Sequence, residues 1–235
     1  MKSRSTTTHR LILWDIDGTL VRGDMVGADA FELAIERVLG TRPRARVVFS
    51  GKTDRQIVEE LLLLEESDVD HAPAVLWHLE HELARCVDRI AAEGSPCPGG
   101  EAALHSLAAI DGVEQTVLTG NIAPNARLKL AAFGLDQYLD LEAGAYGGEH
   151  SDRRELLPLV WQRQHELRGI EYRPDDTWIV GDTPRDLECA RAGGARCLLV
   201  ASGRYDFAEL QELGADFVLN DLRETDVVVG VLASA

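Results

Sequence analysis

The chain reads as an α/β protein: a parallel sheet covered by helices on both faces, with an all-helical block inserted after the first strand. Three features predict this class. Short apolar runs alternate with helical stretches, the order expected of strand–helix–strand units in a parallel sheet. The runs are continuously apolar, as strands are when both faces of their sheet are covered. Between residues 21 and 98 the texture turns helical throughout, with no convincing strand. At 235 residues the chain is long for one domain and short for two, which suits a core carrying an insertion.

Taken in order, the first strand is LILWDID (residues 11–17), an apolar run that stops in two aspartates. ADAFELAIERVLG, DRQIVEELLLLEE and PAVLWHLEHELARCVDRIAAEG carry helical periodicity, and SPCPGG (95–100) closes that block. The expected division is therefore a core of residues 1–21 and 98–235 and a helical unit of 22–97. QTVLTG, TWIVGD, CLLVAS and DFVLND supply further strands. ARLKLAAFGL is a helix stopped at Gly134, and LECARAGGARCLLV is a helix, a glycine stop and a strand. His78 and His81 fall three apart on one helix, where a metal would lack further ligands, so a solvated face accounts for them.

Composition excludes several functions. With 45% hydrophobic residues the chain can bury a real core. Lysine and arginine number 24 against 40 acidic residues, a net charge of −16 that repels nucleic acid and anionic membranes. An anionic ligand then needs a locally cationic pocket. The four cysteines (Cys86, Cys97, Cys189, Cys197) lack zinc-like spacing and read as free thiols in a reducing compartment. The N-terminal MKSRSTTTHR is polar and reads as a frayed tail. The apolar run after it is too short for a signal peptide or a membrane span, so a soluble cytoplasmic protein is expected.

In an open parallel sheet, ligands bind outside the carboxyl ends of the strands, where helix N-termini also point. Three runs place polar residues there: Asp15-Ile16-Asp17-Gly18-Thr19, Leu118-Thr119-Gly120-Asn121 and Gly181-Asp182-Thr183-Pro184-Arg185-Asp186. Each alone has a structural explanation, as a turn, a helix cap or a helix surface. Together, each ending an apolar strand, they point to chemistry.

The three runs, as D-x-D-G-T, T-G-N and G-D-T-x-x-D, resemble signatures of the haloacid dehalogenase superfamily, and the likeness spans the whole chain. It implies a Rossmann-like core whose active site is closed by a helical cap, and phosphoryl-transfer chemistry dependent on Mg2+. Asp15 is then the nucleophile that forms an aspartyl-phosphate, and Asp17 the general acid and base. The metal is held by Asp15, the backbone carbonyl of Asp17, and Asp182, with Asp186 either ligating or orienting a metal-bound water. Gly18 lies at the same turn as a phosphate-binding position. Thr119 and the amides of Gly120 or Asn121 bond the transferring phosphoryl oxygens. The dehalogenase members lack a carboxylate at the place of Asp17, because a carbon–halogen bond leaves without an acid. Its presence argues for phosphoryl transfer, and the resemblance implies a phosphatase whose substrate is a small phosphorylated metabolite.

The chain departs from the family in one respect. The lysine usual before the fourth signature is absent; residues 144–156 offer His150, Arg153 and Arg154 instead. The protein has only three lysines, Lys2, Lys52 and Lys129. Helical side chains lean toward the helix N-terminus, so Lys129 is the first choice for the relocated cation and the 150–154 loop the second. Lys52 and Arg55, in a glycine turn that opens a cap helix, are candidates for reading the substrate, or else carry incidental charge at a helix cap. Arg22, on the hinge side of Asp17, admits either reading. A phosphosugar mutase of the β-phosphoglucomutase type uses the same two aspartates and stays open as an alternative. A non-catalytic binding or regulatory protein on the same fold is the alternative from another class; the displaced lysine favours it, whereas the presence of all four carboxylates, one of which it would have lost, argues against it.

Overall fold

A computed structural model describes residues 9–23 and 25–234; the expected N-terminal tail lies almost entirely outside them. Six strands form one parallel sheet: β1 (Arg10–Trp14), β4 (Val113–Thr119), β5 (Ala145–Tyr146), β6 (Thr177–Gly181), β7 (Arg196–Val200) and β8 (Phe217–Leu219). Their spatial order is β5-β4-β1-β6-β7-β8. β1 is central, pairing in parallel with β4 on one side and β6 on the other. The chain thus builds the sheet outward from β1 in both directions, and the crevice beside β1 is where such a fold binds ligands.

Alternation along β1 explains why its run is apolar throughout. Ile12 and Trp14 enter the core on one face, with α5 (Gly100–Ala108), α6 (Ala123–Ala131) and α10 (Thr225–Ala233). Leu11 and Leu13 enter the other, with α7 (Leu156–Arg168), α8 (Pro184–Gly193) and α9 (Phe207–Glu212). All four side chains are fully buried. β5 is only two residues long, too short to carry a recognisable pattern in sequence.

The helical block is α1 (Met25–Leu39), α2 (Asp54–Leu64), α3 (Ala72–Ala84) and α4 (Val87–Glu93). Ala30, Ile35, Val58, Leu62, Val75 and Leu79 form its own apolar centre, separate from both cores of the sheet. The chain leaves the sheet through β2 (Val21–Arg22) and returns through β3 (Ser95–Pro96), which pair antiparallel. We place the boundary of the cap at this ribbon. His78 is half-buried and His81 exposed, and both pack against the exposed ring of Trp77. The four cysteines are unpaired. No helix among the described residues is long and apolar enough to cross a membrane.

Leu13 is fully buried in the core beside α7 and α8. Truncation in Leu13→Ala is expected to lower the unfolding free energy by roughly 2–5 kcal/mol. Urea denaturation measures this, and an unchanged midpoint would contradict the packing described.

Candidate active site

Three adjacent strand ends meet at the site. Asp15 follows β1 directly, and its amide donates to Val180 on β6 at 2.9 Å. Asp182 follows β6, and Thr119 ends β4. Asp186 lies in the first turn of α8, where its Oδ2 accepts from the Thr183 amide (3.0 Å) and hydroxyl (2.7 Å). This reciprocal cap fixes the start of the helix and buries Asp186 completely. Gly18 turns with φ +82°, and a Cβ there would collide with the Asp182 carboxylate. Glycine is needed at that position for both reasons.

Asp15, Asp182 and Asp186 each offer an oxygen within 4.8 Å of the others, and all three are buried. One cation stands among them. Arg153, in the 3-10 turn Arg153–Glu155 ahead of α7, donates to Asp15 Oδ1 at 2.9 Å and to Asp186 Oδ1 at 2.5 Å. Its side chain is 3% exposed. Burial opposes the Arg153 charge, but Asp186 and Asp15 outweigh it and raise the guanidinium pKa above its ordinary value. Burial also pushes Asp15 up to about 7, against the attraction of Arg153. Asp182 is pushed up to about 9, by burial first and by the charges of Asp15 and Asp186 next.

These residues fit a divalent cation. Three buried carboxylates face one guanidinium, so full ionisation leaves two negative charges uncompensated. Asp182 Oδ1 is buried with no hydrogen-bond partner among the described residues, although a buried polar atom ordinarily has one. All the donors are hard oxygens, the set that magnesium takes.

Asp17 belongs to a second group. Its carboxylate accepts from Lys129 Nζ at 2.5 and 2.7 Å and from Asn121 Nδ2 at 2.7 Å. Thr119 is fully buried, and its hydroxyl accepts from the Asn121 amide and side chain. Lys129, expected as the cation of the phosphoryl site, therefore stands against Asp17, while Arg153 from the second-choice loop stands against Asp15. The reason is placement: α6 brings Lys129 to Asp17, and the turn before α7 brings Arg153 to Asp15.

The cap is sewn to the core where α2 begins. Thr53 caps that helix by accepting from the Gln56 amide, and donates its hydroxyl to Ser151 carbonyl oxygen at 2.9 Å. The Asp54 amide donates to Gly120 at 2.7 Å and the Arg55 amide to Gly147 at 3.0 Å. A side chain at Gly120 would collide with the Lys52 carbonyl and block this approach, and one at Gly147 would collide with the Gly120 backbone. The Asp54 carboxylate accepts from the Ile122 amide at the start of α6 (2.7 Å), and burial pushes it up to about 7. Lys52 lines the cavity but pairs with Glu60. Arg55 pairs with Glu59 at 2.8 Å and does not line the cavity, so only Lys52 of the two substrate-reading candidates faces the site. Arg22 donates to the Ser202 carbonyl at 3.0 Å and also lines it. Between cap and core lies a cavity of about 930 Å³, walled by Asp15, Asp17, Asp182 and Arg153 on one side and Phe31 and Phe49 on the other.

Two residues of this site, Asn125 and Asp54, have no place in the sequence reading. Arg153 stands there as a member of the second-choice 150–154 loop; its burial comes from the fold. Asn125 and Asp54 read as ordinary helix residues, although Thr53-Asp54 does carry a helix-start signal.

Buried carboxylates thus gather at the strand ends beneath a helical cap, and comparison with known proteins gives the family. Residues 12–191 match the haloacid dehalogenase-like hydrolase family. A phosphoglycolate phosphatase of Xylella fastidiosa is 30% identical over 197 residues, 83% of this chain and 81% of the relative. A phosphoglycolate phosphatase of Rhodospirillum rubrum is 27% identical over 90% of this chain and 87% of its own. In fold the chain is similar to the structure of a protein described as a predicted phosphatase from Clostridium acetobutylicum, with TM-score 0.68 at 20% identity, covering 97% and 100% of the two chains. The chain belongs to the haloacid dehalogenase-like hydrolase family, as an enzyme of its phosphatase branch.

The raised carboxylates set a pH dependence. An aspartate whose folded pKa lies above its unfolded value binds its proton more tightly when folded, so stability falls as pH rises between the two values. For Asp15 and Asp182 that window opens near the ordinary 3.8 and extends to about 7 and about 9. With chelator present, the melting temperature is expected to fall from pH 5 to pH 8 by more in the parent than in Asp182→Asn. Magnesium should raise it more at pH 8 than at pH 5. Equal slopes for the two proteins would contradict the buried, proton-binding state of Asp182.

Proposed function

We propose that the protein hydrolyses a small phosphomonoester through an aspartyl-phosphate on Asp15, with Mg2+ as cofactor. The observation that carries this reading is the buried group of Asp15, Asp182 and Asp186 closed by Arg153, with Asp17 beside it in one cavity. The Asp15 carboxylate attacks phosphorus, and the bond from phosphorus to the ester oxygen breaks. Asp17 donates a proton to that leaving oxygen. It then takes one from the water that attacks the aspartyl-phosphate, which releases inorganic phosphate and restores Asp15.

Arg153 holds Asp15 in orientation and presents positive charge where the phosphoryl oxygens gather. Thr119 and the amides of Gly120 and Asn121 are the further donors to those oxygens. Magnesium would be held by Asp15, the carbonyl of Asp17, and Asp182, and when bound it neutralises charge on nucleophile and phosphate alike. Asp186, whose oxygens already serve Thr183 and Arg153, orients that shell instead of completing it. The family relatives named as phosphoglycolate phosphatases make 2-phosphoglycolate the first substrate to try. Four unpaired cysteines suit a reducing, cytoplasmic setting.

Purified protein with magnesium is expected to release phosphate from 2-phosphoglycolate or another small ester. Asp15→Asn should reduce release to background while the protein still melts cooperatively. Continued turnover by that variant would remove Asp15 as nucleophile.

A further inference from the structure

Lys129 touches neither Asp15 nor the carboxylates around it. Its ammonium donates to both oxygens of Asp17 and to Asn121 Oδ1 at 2.9 Å. Asn121 Oδ1 also accepts from Asn125 Nδ2 at 2.6 Å, and Asn121 Nδ2 returns to Asp17. Asn121, Asn125 and Lys129 are spaced four apart, which lines them along one face at the start and length of α6. Helical side chains lean toward the N-terminus, so this ladder directs all three toward Asp17. Asn121 and Asn125 are each 5% exposed, whereas the Asp17 side chain is 36% exposed. A buried scaffold therefore holds an exposed carboxylate at both of its oxygens.

An acid that protonates a leaving oxygen must hold its own oxygen within hydrogen-bond reach of it, and a small misplacement lowers the rate steeply. Asp17 lies in the turn between β1 and β2, with cavity on its open side. Its rotamer is set by what binds it from behind.

We infer that Lys129 is a positioning residue, which with Asn121 and Asn125 fixes the Asp17 carboxylate for proton transfer to the leaving group and does not bind the phosphoryl group. The inference rests on the two-aspartate reaction proposed above. It separates the two cations of the site by task, Arg153 serving the nucleophile and Lys129 the acid.

Leaving-group dependence tests it. A p-nitrophenyl ester leaves without help from an acid, whereas the alkyl ester 2-phosphoglycolate needs a proton. The value of kcat/KM reports the first step, in which the two esters differ. For Lys129→Met, kcat/KM on the alkyl ester is expected to fall by about 10²- to 10⁴-fold, the range for lost general-acid catalysis, and by a much smaller factor on the aryl ester. Asp17→Asn should show the same selectivity. Asn125→Ala, which leaves every contact to Asp17 in place and removes only the support of Asn121, should show it in weaker form, and it answers the question if Lys129→Met does not fold. Equal losses on both esters would make Lys129 a phosphate-binding cation and overturn the inference, as would no loss on either. If Asp15→Asn turns over either ester as the parent does, the two-aspartate reading itself fails, and the inference with it.

Discussion

Everything at this site follows from burying three carboxylates around one guanidinium. Asp15, Asp182 and Asp186 come from β1, the end of β6 and the first turn of α8, all against the central strand of the sheet. Arg153 satisfies two of them, and the orphaned Asp182 oxygen is what remains. Leaving buried charge uncompensated costs several kcal/mol per ion, so Asp15 and Asp182 hold protons more tightly than usual and the group suits a cation. Strain of this kind belongs at a functional site, where a ligand relieves it. Burial, Arg153 and the unsatisfied oxygen are one fact seen from three sides.

The cap extends that fact. Between residues 50 and 55 its backbone runs against the core at Gly120 and Gly147, and Asp54 binds the start of α6. The helix that receives Asp54 also carries Lys129, which holds Asp17. Cap docking and the hold on Asp17 therefore share one element. Asp15 and Asp182 lie buried across the cavity from a cap fixed at this end, and mutual repulsion and affinity for a cation are stronger in a low dielectric. The linking ribbon of β2 and β3 begins at Val21, which bridges to Asp17, so Asp17 adjoins the second place where cap meets core.

Much of this was legible in the sequence for a physical reason. Asp15, Asp17, Thr119, Asp182 and Asp186 interrupt apolar strands or open helices, and a carboxylate at the end of a buried strand has few structural explanations. The sheet was legible because both its faces are covered, which makes β1, β6 and β7 apolar runs after their first residues. β5 is two residues long and left no pattern. Reach across the crevice was not legible either. Lys129 and Arg153 are both plausible cations by sequence distance, and only the placement of α6 and of the turn before α7 decides which carboxylate each meets. Arg55 was equally plausible, but Glu59, one turn further along α2, draws it away.

Charge distribution completes the account. A chain of net charge −16 is a poor partner for an anionic ester unless the field is reversed locally. Around the cavity stand Arg22, Lys52, Lys129, Arg153 and Arg204, against Asp15, Asp17, Asp54 and Asp182. Five cations thus face four carboxylates where the chain as a whole holds 24 against 40. Two of the protein's three lysines are among them, which explains their mild prominence in a sequence that otherwise prefers arginine. A compact ammonium can sit between Asp17 and Asn121 where a planar fork would demand more room and a different geometry. A divalent cation bound by the carboxylates would tip the balance further, so the acids that make the chain repellent to anions become, in this one crevice, the means of holding one.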